Sequence, residues 1–327
     1  MNWTGKRVLV TGAGGFIGSH LTERLVALGA RTRALVFYRS NGSWGWLDDS
    51  NCKQDVEVVS GDIRDRDSVK RAVQGVEYVF HLAALIAIPY SYTVPESFIR
   101  TNVDGSLNVL QAAREEDVRC VIHTSTSEAY GSARRVPICE DHPLQAQSPY
   151  AASKIAADKL AESFYLSYGT PVVTLRPFNT FGPRQSGRSV LPTIISQCLT
   201  QQKLVLGSLH PTRDFNYVEN IVDGFVKAAE TPRAVGRTIN LGSGMELRIQ
   251  EAVDVITRII GKEMVVERSD ERVRPESSEV VRLIADNSAA HEILGWKPLI
   301  SFEEGLRRTI EWMEEHLDVY RAGAYVL

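Results

Sequence analysis

The stretch Thr11-Gly12-Ala13-Gly14-Gly15-Phe16-Ile17-Gly18 decides how the rest of the chain is read. It follows the apolar run Arg7-Val8-Leu9-Val10, a buried-strand pattern. It opens a segment, 16–28, whose apolar residues recur at helical spacing until Gly29 stops it. Glycines at 12, 15 and 18 leave the turn without side chains. Backbone N–H groups and the positive end of the helix can then meet a pyrophosphate. Gly12, Gly15, Phe16, Ile17 and Gly18 are therefore candidate contacts to a dinucleotide. The competing reading is a plain glycine-rich turn, and a glycine pattern alone does not exclude it.

Outward from this turn the pattern repeats. Strands are predicted at 32–37, 56–59, 76–82, 118–124 and 171–176, and helices at 67–73, 97–114 and 148–168. Strand–helix units of this length favour a parallel sheet covered on both faces. After Arg176 the order changes. A Gly-, Pro- and Arg-rich loop spans 177–188, and helices are predicted at 190–200, 220–231, 250–260 and 302–316. Short strands are predicted at 203–206, 238–241 and 264–267, the second returning to the large sheet. The expected fold is α/β, a Rossmann-type doubly wound parallel sheet with a smaller interleaved C-terminal substrate domain. Residues 1–176, with a return of roughly 214–250, would form the dinucleotide-binding domain, and 177–327 mainly the substrate domain.

Bulk properties narrow the function classes. Of 327 residues, 43% are hydrophobic and 24% charged, and the formal net charge is -3. No overall field attracts nucleic acid or an anionic membrane. The chain enters a strand almost at once and holds no apolar run long enough for a bilayer, so a cytoplasmic protein is expected. Cys52, Cys120, Cys139 and Cys198 fit no CxxC pattern and suit a reducing compartment. Seven scattered histidines give no ligand spacing, so no metal is expected.

The end of the second strand bears on the choice between NAD and NADP. Leu35-Val36-Phe37-Tyr38-Arg39-Ser40 carries no acid to hold the ribose hydroxyls. Arg39 and Ser40 suit a 2′-phosphate, or Arg39 merely faces solvent, and the choice stays open. Asp62 and Ile63 follow the third strand, as an adenine contact or, for Asp62, a helix cap. Leu82, Ala83 and Ala84 end the fourth with small residues past which a cofactor can run close to the backbone.

With HTSTSEAYG at 123–131 and Tyr150-Ala151-Ala152-Ser153-Lys154, these motifs resemble the extended short-chain dehydrogenase/reductase proteins that act on nucleotide sugars. HLAA at 81–84 and RPFNTFGPRQ at 176–185 belong to the same resemblance, which covers nearly the whole chain. It implies that Tyr150 takes a proton from a sugar hydroxyl as hydride leaves the carbon. Lys154, four residues on and on the same helix face, lowers the tyrosine's pKa and holds the nicotinamide ribose. Thr126 hydrogen-bonds the reacting oxygen. Ser127 and Glu128 carry the finer information. Simple 4-epimerases have small or hydroxyl residues at these two positions, and dTDP-glucose 4,6-dehydratases have Asp then Glu. UDP-glucuronate decarboxylases share the Thr-Ser-Glu arrangement.

The segments at 39–49, 88–102, 147–165 and 176–197 are similar to N-acetylhexosamine 4,6-dehydratases of legionaminic and related nonulosonic acid routes. That similarity implies a UDP- or GDP-N-acetylglucosamine substrate, a tightly held, recycled NAD or NADP, and a 4-keto-6-deoxy or 5,6-ene product. Tyr90 would line the sugar pocket. Asn179, Arg188, Arg213 and Arg274 would contact the diphosphate or nucleotide ribose, with an exposed, solvated role as the alternative for each arginine. Ser127 is expected to relay a proton through water, or Glu128 to pass on the one it takes from C5. Glu128 could instead be a buried carboxylate satisfying backbone N–H groups. A homodimer is expected through a four-helix bundle of the helices near 97–114 and 148–168, with Leu107, Leu110, Ala157, Leu160 and Phe164 on its face. The rivals are a decarboxylase, a 4-epimerase and a non-catalytic NADP-binding scaffold.

Overall fold

Val8, Leu9 and Val10 are fully buried although they alternate in direction, as expected of a strand with helices on both faces. Val8 and Val10 join one apolar cluster with Leu21, Leu25, Ile221 and Phe225. Leu9 joins the opposite one with Val69, Val109, Leu110 and Phe164. The structure, a computed structural model, describes residues 1–269 and 275–320.

The large sheet contains β1 (Arg7–Thr11), β2 (Arg31–Phe37), β3 (Val56–Gly61), β4 (Tyr78–His81), β5 (Cys120–Thr124), β6 (Val172–Pro177) and the late strand Thr238–Leu241. The order is Thr238–Leu241, β6, β5, β4, β1, β2, β3, with every pair parallel. The predicted return of 238–241 is thus observed. The chain reverses its direction of travel between β1 and β4, and such a switch point opens a crevice at the carboxyl ends of the strands.

Helices α1 (Phe16–Ala27), α2 (Arg66–Val73), α3 (Ile88–Thr93), α4 (Pro95–Phe98), α5 (Gly105–Glu115) and α6 (Pro149–Tyr168) accompany the first six strands. The later helices are α7 (Val190–Thr200), α8 (Val218–Glu230), α9 (Ile249–Ile260), α10 (Ser288–Leu294) and α11 (Phe302–Glu315). No helix among the described residues is long and apolar enough to cross a membrane. All four cysteines are free thiols.

Three departures from the sequence reading have physical causes. The single helix expected at 97–114 is α4 and α5 joined by a π-helical stretch, Ile99–Asp104. The wide turn suits Asn102, whose amide donates to the Leu85 carbonyl and Ser153 hydroxyl and accepts from the Leu85 N–H. Asp62 does not cap α2. Asp65 does, accepting from the Ser68 N–H. Leu110, Ala157 and Phe164 do not face outward; they are buried at 0%, 0% and 6% exposure, Leu110 and Phe164 in the cluster around Leu9. Leu107 and Leu160 are half-buried at the margin of that cluster. Helices α3 and α10, and the small sheet of Thr212–Arg213, Leu247–Arg248 and Arg282–Leu283, are too short for periodicity to reveal.

Candidate functional site

The glycine loop is tight enough to exclude side chains. A Cβ on Gly18 would lie 2.1 Å from the Gly12 carbonyl oxygen, and one on Gly12 would lie 2.8 Å from the Ala83 nitrogen. Gly12 also has φ +71°, which favours glycine. Thr11 fixes the neighbouring strand end: its hydroxyl oxygen accepts from the N–H groups of Leu82 and Ala83, both at 3.1 Å. The same hydroxyl meets His81 Nδ1 at 2.9 Å, and His81 Nε2 meets the Ser106 hydroxyl at 3.0 Å. Ser106 donates to the Asn102 carbonyl, so it accepts from His81. The imidazole is therefore neutral with its proton on Nε2, and burial holds its pKa well below the usual value.

The crevice is a cavity of about 1810 Å³ running from this loop into the C-terminal half. Ordinary small-molecule sites measure roughly 300–1,000 Å³, so there is room for two large ligands side by side. Gly12, Gly15, Phe16, Ile17, Gly18, Arg39, Asp62, Ile63, Leu82, Ala83 and Ala84 line one end. Ser40 is exposed and lies outside the lining. Asp62 is engaged by Arg64, whose Nε approaches both carboxylate oxygens, at 3.1 and 2.9 Å. A loop without side chains, a helix N-terminus beyond it and small residues across from it fit a dinucleotide.

Thr126, Ser127, Glu128 and Tyr150 line the middle of the cavity. Thr126 caps a short turn, Ser127–Tyr130, that follows β5, its hydroxyl accepting from the Glu128 N–H at 3.2 Å. Tyr150 and Lys154 sit on the buried face of α6, which Ser148 caps and Pro149 begins. Burial pushes the Tyr150 phenol up and the Glu128 charge adds to it, against a hydrogen bond with Thr126. The lowering that the sequence reading expects from Lys154 is not the net result. Burial brings Lys154 itself down to about 8, and its ammonium donates to the Thr124 carbonyl.

Behind the tyrosine lies a charged network the sequence reading missed. Asp158 accepts from the Ser125 hydroxyl at 2.7 Å and from Arg176 at 2.9 Å, and meets His123 Nε2 at 3.1 Å. Arg176 also stacks over Tyr130, 4.8 Å from the ring centre. Burial alone would raise Asp158, but hydrogen bonds from His123 and Ser125 and the charge of Arg176 hold it at about 2. The available signal was spacing: Asp158 lies four residues beyond Lys154 on the same helix face.

Tyr90, Asn179, Arg188 and Arg213 all line the remaining end. The Asn179 Oδ1 is buried without a hydrogen-bond partner among the described residues. Arg213 is buried and paired with Glu279 at 3.2 Å, a lining carboxylate that sequence reasoning did not single out. Arg188 is exposed at the rim. Arg274 lies outside the described residues. The loop holding Trp44 and Trp46 was also unassigned, yet it lies directly on the glycine turn. Trp46 N–H donates to the Gly14 carbonyl, and a Cβ on Gly14 would lie 2.2 Å from the Trp44 carbonyl oxygen.

This combination defines a nucleotide-sugar epimerase or dehydratase of the extended short-chain dehydrogenase/reductase class, with a cradle for NAD or NADP. The chain belongs to the GDP-mannose 4,6 dehydratase family, whose sequence pattern matches residues 9–309. It is 34% identical over 312 residues to a UDP-glucose 4-epimerase of Mycolicibacterium smegmatis, covering 94% of this chain and 98% of that one. Its fold matches the epimerase Mth375 of Methanothermobacter thermautotrophicus with a TM-score of 0.89 and 32% identity, over 97% and 94% of the two chains. The dTDP-glucose 4,6-dehydratase DesIV of Streptomyces venezuelae, solved with NAD, matches with a TM-score of 0.88 and 30% identity, over 96% and 99%.

Proposed function

We propose that the protein is a nucleotide-sugar 4,6-dehydratase acting on UDP- or GDP-N-acetylglucosamine. The observation that carries this reading is the Glu128 side chain, which lines the cavity beside Thr126 and Tyr150. An enzyme that only moves hydride to and from C4 has no use for a carboxylate there. Elimination next to a ketone needs a base. The acetamido sugar is supported by the resemblance of segments 39–49, 88–102, 147–165 and 176–197.

A bound NAD or NADP supplies the hydride acceptor and donor. Tyr150 takes the proton of the C4 hydroxyl while Thr126 holds that oxygen. The resulting 4-ketone makes the C5 proton acidic, and Glu128 removes it. Glu128 then passes the proton to the C6 hydroxyl, which leaves as water. The 5,6-alkene takes hydride at C6 and a solvent proton at C5, while Tyr150 releases to solvent the proton it took. Asn179, Arg188 and Arg213 hold the diphosphate and nucleotide ribose, with guanidinium forks matched to phosphate oxygens. In this reading 1–176 with 214–250 hold the dinucleotide, and 177–327 mainly the sugar nucleotide.

The second reading is 4-epimerisation. It is favoured by the epimerase relatives and by Ser127, which supplies no carboxylic acid for the leaving hydroxyl. Incubation with UDP- or GDP-N-acetylglucosamine and mass spectrometry separate the two. Loss of one water supports dehydration, and an isomer of unchanged mass supports epimerisation. Carbon dioxide released from UDP-glucuronate would establish a decarboxylase.

The oligomer we propose is a homodimer that buries the outer faces of the π-helical stretch, α5 and α6. There, Ile99 and Leu166 are 43% and 72% exposed.

A further inference from the structure

The geometry points to NADP, read through Arg39, as the dinucleotide this chain selects. The inference rests on the dinucleotide cradle and not on the dehydratase reading. It also sets the chain apart from the relative solved with NAD.

An NAD site needs an acceptor for the two adenosine ribose hydroxyls, ordinarily a carboxylate at the end of β2. The run from Leu35 to Gly42 holds none. Two carboxylates lie nearby in the fold, and both are committed. Asp62 is tied to the Arg64 guanidinium and to the Arg64 N–H, and the side-chain bond from Arg64 leads in holding its pKa low. Asp48 accepts from the Ser43 hydroxyl at 2.7 Å and from the Trp44 N–H at 3.1 Å, with Lys53 at 3.9 Å. Its pKa is low although burial opposes the shift. Asn41 offers a neutral amide oxygen in place of a carboxylate, and that oxygen already accepts from the Ser43 N–H.

What β2 does present is a cation. Arg39 lines the cavity at the same end as Gly12, Gly15 and Ile63. Its guanidinium makes no hydrogen bond or ion pair among the described residues, and the carboxylate that feels its charge is the committed Asp48. Phe37 and Tyr38, just before it, are 61% and 66% exposed, so this corner is open to solvent. A ribose diol would find no free carboxylate there, only the Ser40 hydroxyl and the spare lone pair of Asn41 beside a guanidinium. A 2′-phosphate would find a planar fork matched to its oxygens, in a corner roomy enough to stay hydrated on its far side.

The test is calorimetric titration of the purified protein, freed of co-purified nucleotide, with NADP, NAD and 2′-phospho-ADP-ribose. The wild type should bind NADP at least roughly tenfold more tightly than NAD. Its NADP affinity should also fall more steeply with added salt. Arg39→Ala should weaken NADP and 2′-phospho-ADP-ribose by roughly 10–100-fold, the range for hydrogen bonds to a charged group. NAD affinity should change little, which controls for folding. Arg39→Asp should reverse the preference. Equal or tighter NAD binding by the wild type, or equal weakening of both nucleotides by Arg39→Ala, overturns the proposal and leaves the cradle standing. Binding of neither nucleotide overturns the cradle as well.

Discussion

Glu128 and Tyr150, from two different elements, share one wall of the cavity and are coupled electrically. Burial raises the phenol's pKa, and the carboxylate's charge raises it further. Each group is an acid–base candidate, and the carboxylate's charge makes the phenol harder to ionise. The phenol is therefore protonated before substrate is bound, and it must be helped to give up its proton.

Lys154, one helical turn beyond Tyr150 on the buried face of α6, is the cation the family resemblance gives that task, and its own pKa sets a pH limit. Burial brings it to about 8, so it is charged below that pH and neutral above. Oxidation at C4, followed by cofactor absorbance in a single turnover, should decline as pH rises through about 8. Lys154→Met should lose that limb of the profile together with most of the rate. The stability sign is opposite. An unfolded lysine titrates near ~10.4, so between about 8 and ~10.4 the unfolded chain holds the extra proton, and this group's contribution to stability rises with pH.

Asp158 should matter to stability before it matters to chemistry. Asp158→Asn leaves the buried Arg176 without its counter-charge and should cost about 3–5 kcal/mol, measured by urea unfolding. The folded pKa is depressed to about 2. The stabilisation is therefore complete above the unfolded value of ~3.9 and is lost as pH falls toward 2.

The glycine turn can be tested at two positions with different outcomes. Gly18→Ala forces a Cβ against the Gly12 carbonyl and the loop out of place. Nucleotide affinity should fall by roughly 10–100-fold as phosphate hydrogen bonds are lost. Gly14→Ala instead meets the Trp44 carbonyl. It should cost about 1–3 kcal/mol of overpacking, seen as a lower melting temperature, as the tryptophan loop lifts.

Sedimentation tests the dimer. The wild type should run at about twice 36.3 kDa. The double substitution Ile99→Asp with Leu166→Asp should yield the monomer with its thermal unfolding little changed. A monomeric wild type at micromolar concentration would remove the interface.

Most of the sheet was legible because parallel strands buried on both faces write themselves as apolar runs between helical periods. The boundaries of α7 and of the strand Thr238–Leu241 match their predicted spans. What escaped detection depends on contacts distant in sequence. No local pattern says that the helix at 97–114 must widen around Asn102, a response to Leu85 and Ser153. Leu110, Ala157 and Phe164 read as an outer stripe because an apolar helix face does not announce which neighbour it meets. Glu279 carries no local signal in the sequence; only the fold sets it beside Arg213. Asp158 and Arg176 meet only because α6 packs across β5 and β6.

The central claim is that Glu128 removes the C5 proton, and Glu128→Gln in heavy water tests it most directly. The substitution keeps the shape and removes the base, while Tyr150 and Lys154 remain. In the wild type, UDP- or GDP-N-acetylglucosamine should lose one water and acquire deuterium at C5. In Glu128→Gln, cofactor reduction should still be seen, elimination should fall by roughly 10²–10⁴-fold, and C5 should stay protiated. Tyr150→Phe should fail earlier, before any reduced cofactor appears. If Glu128→Gln loses water and labels C5 at the wild-type rate, the role given to Glu128 is contradicted.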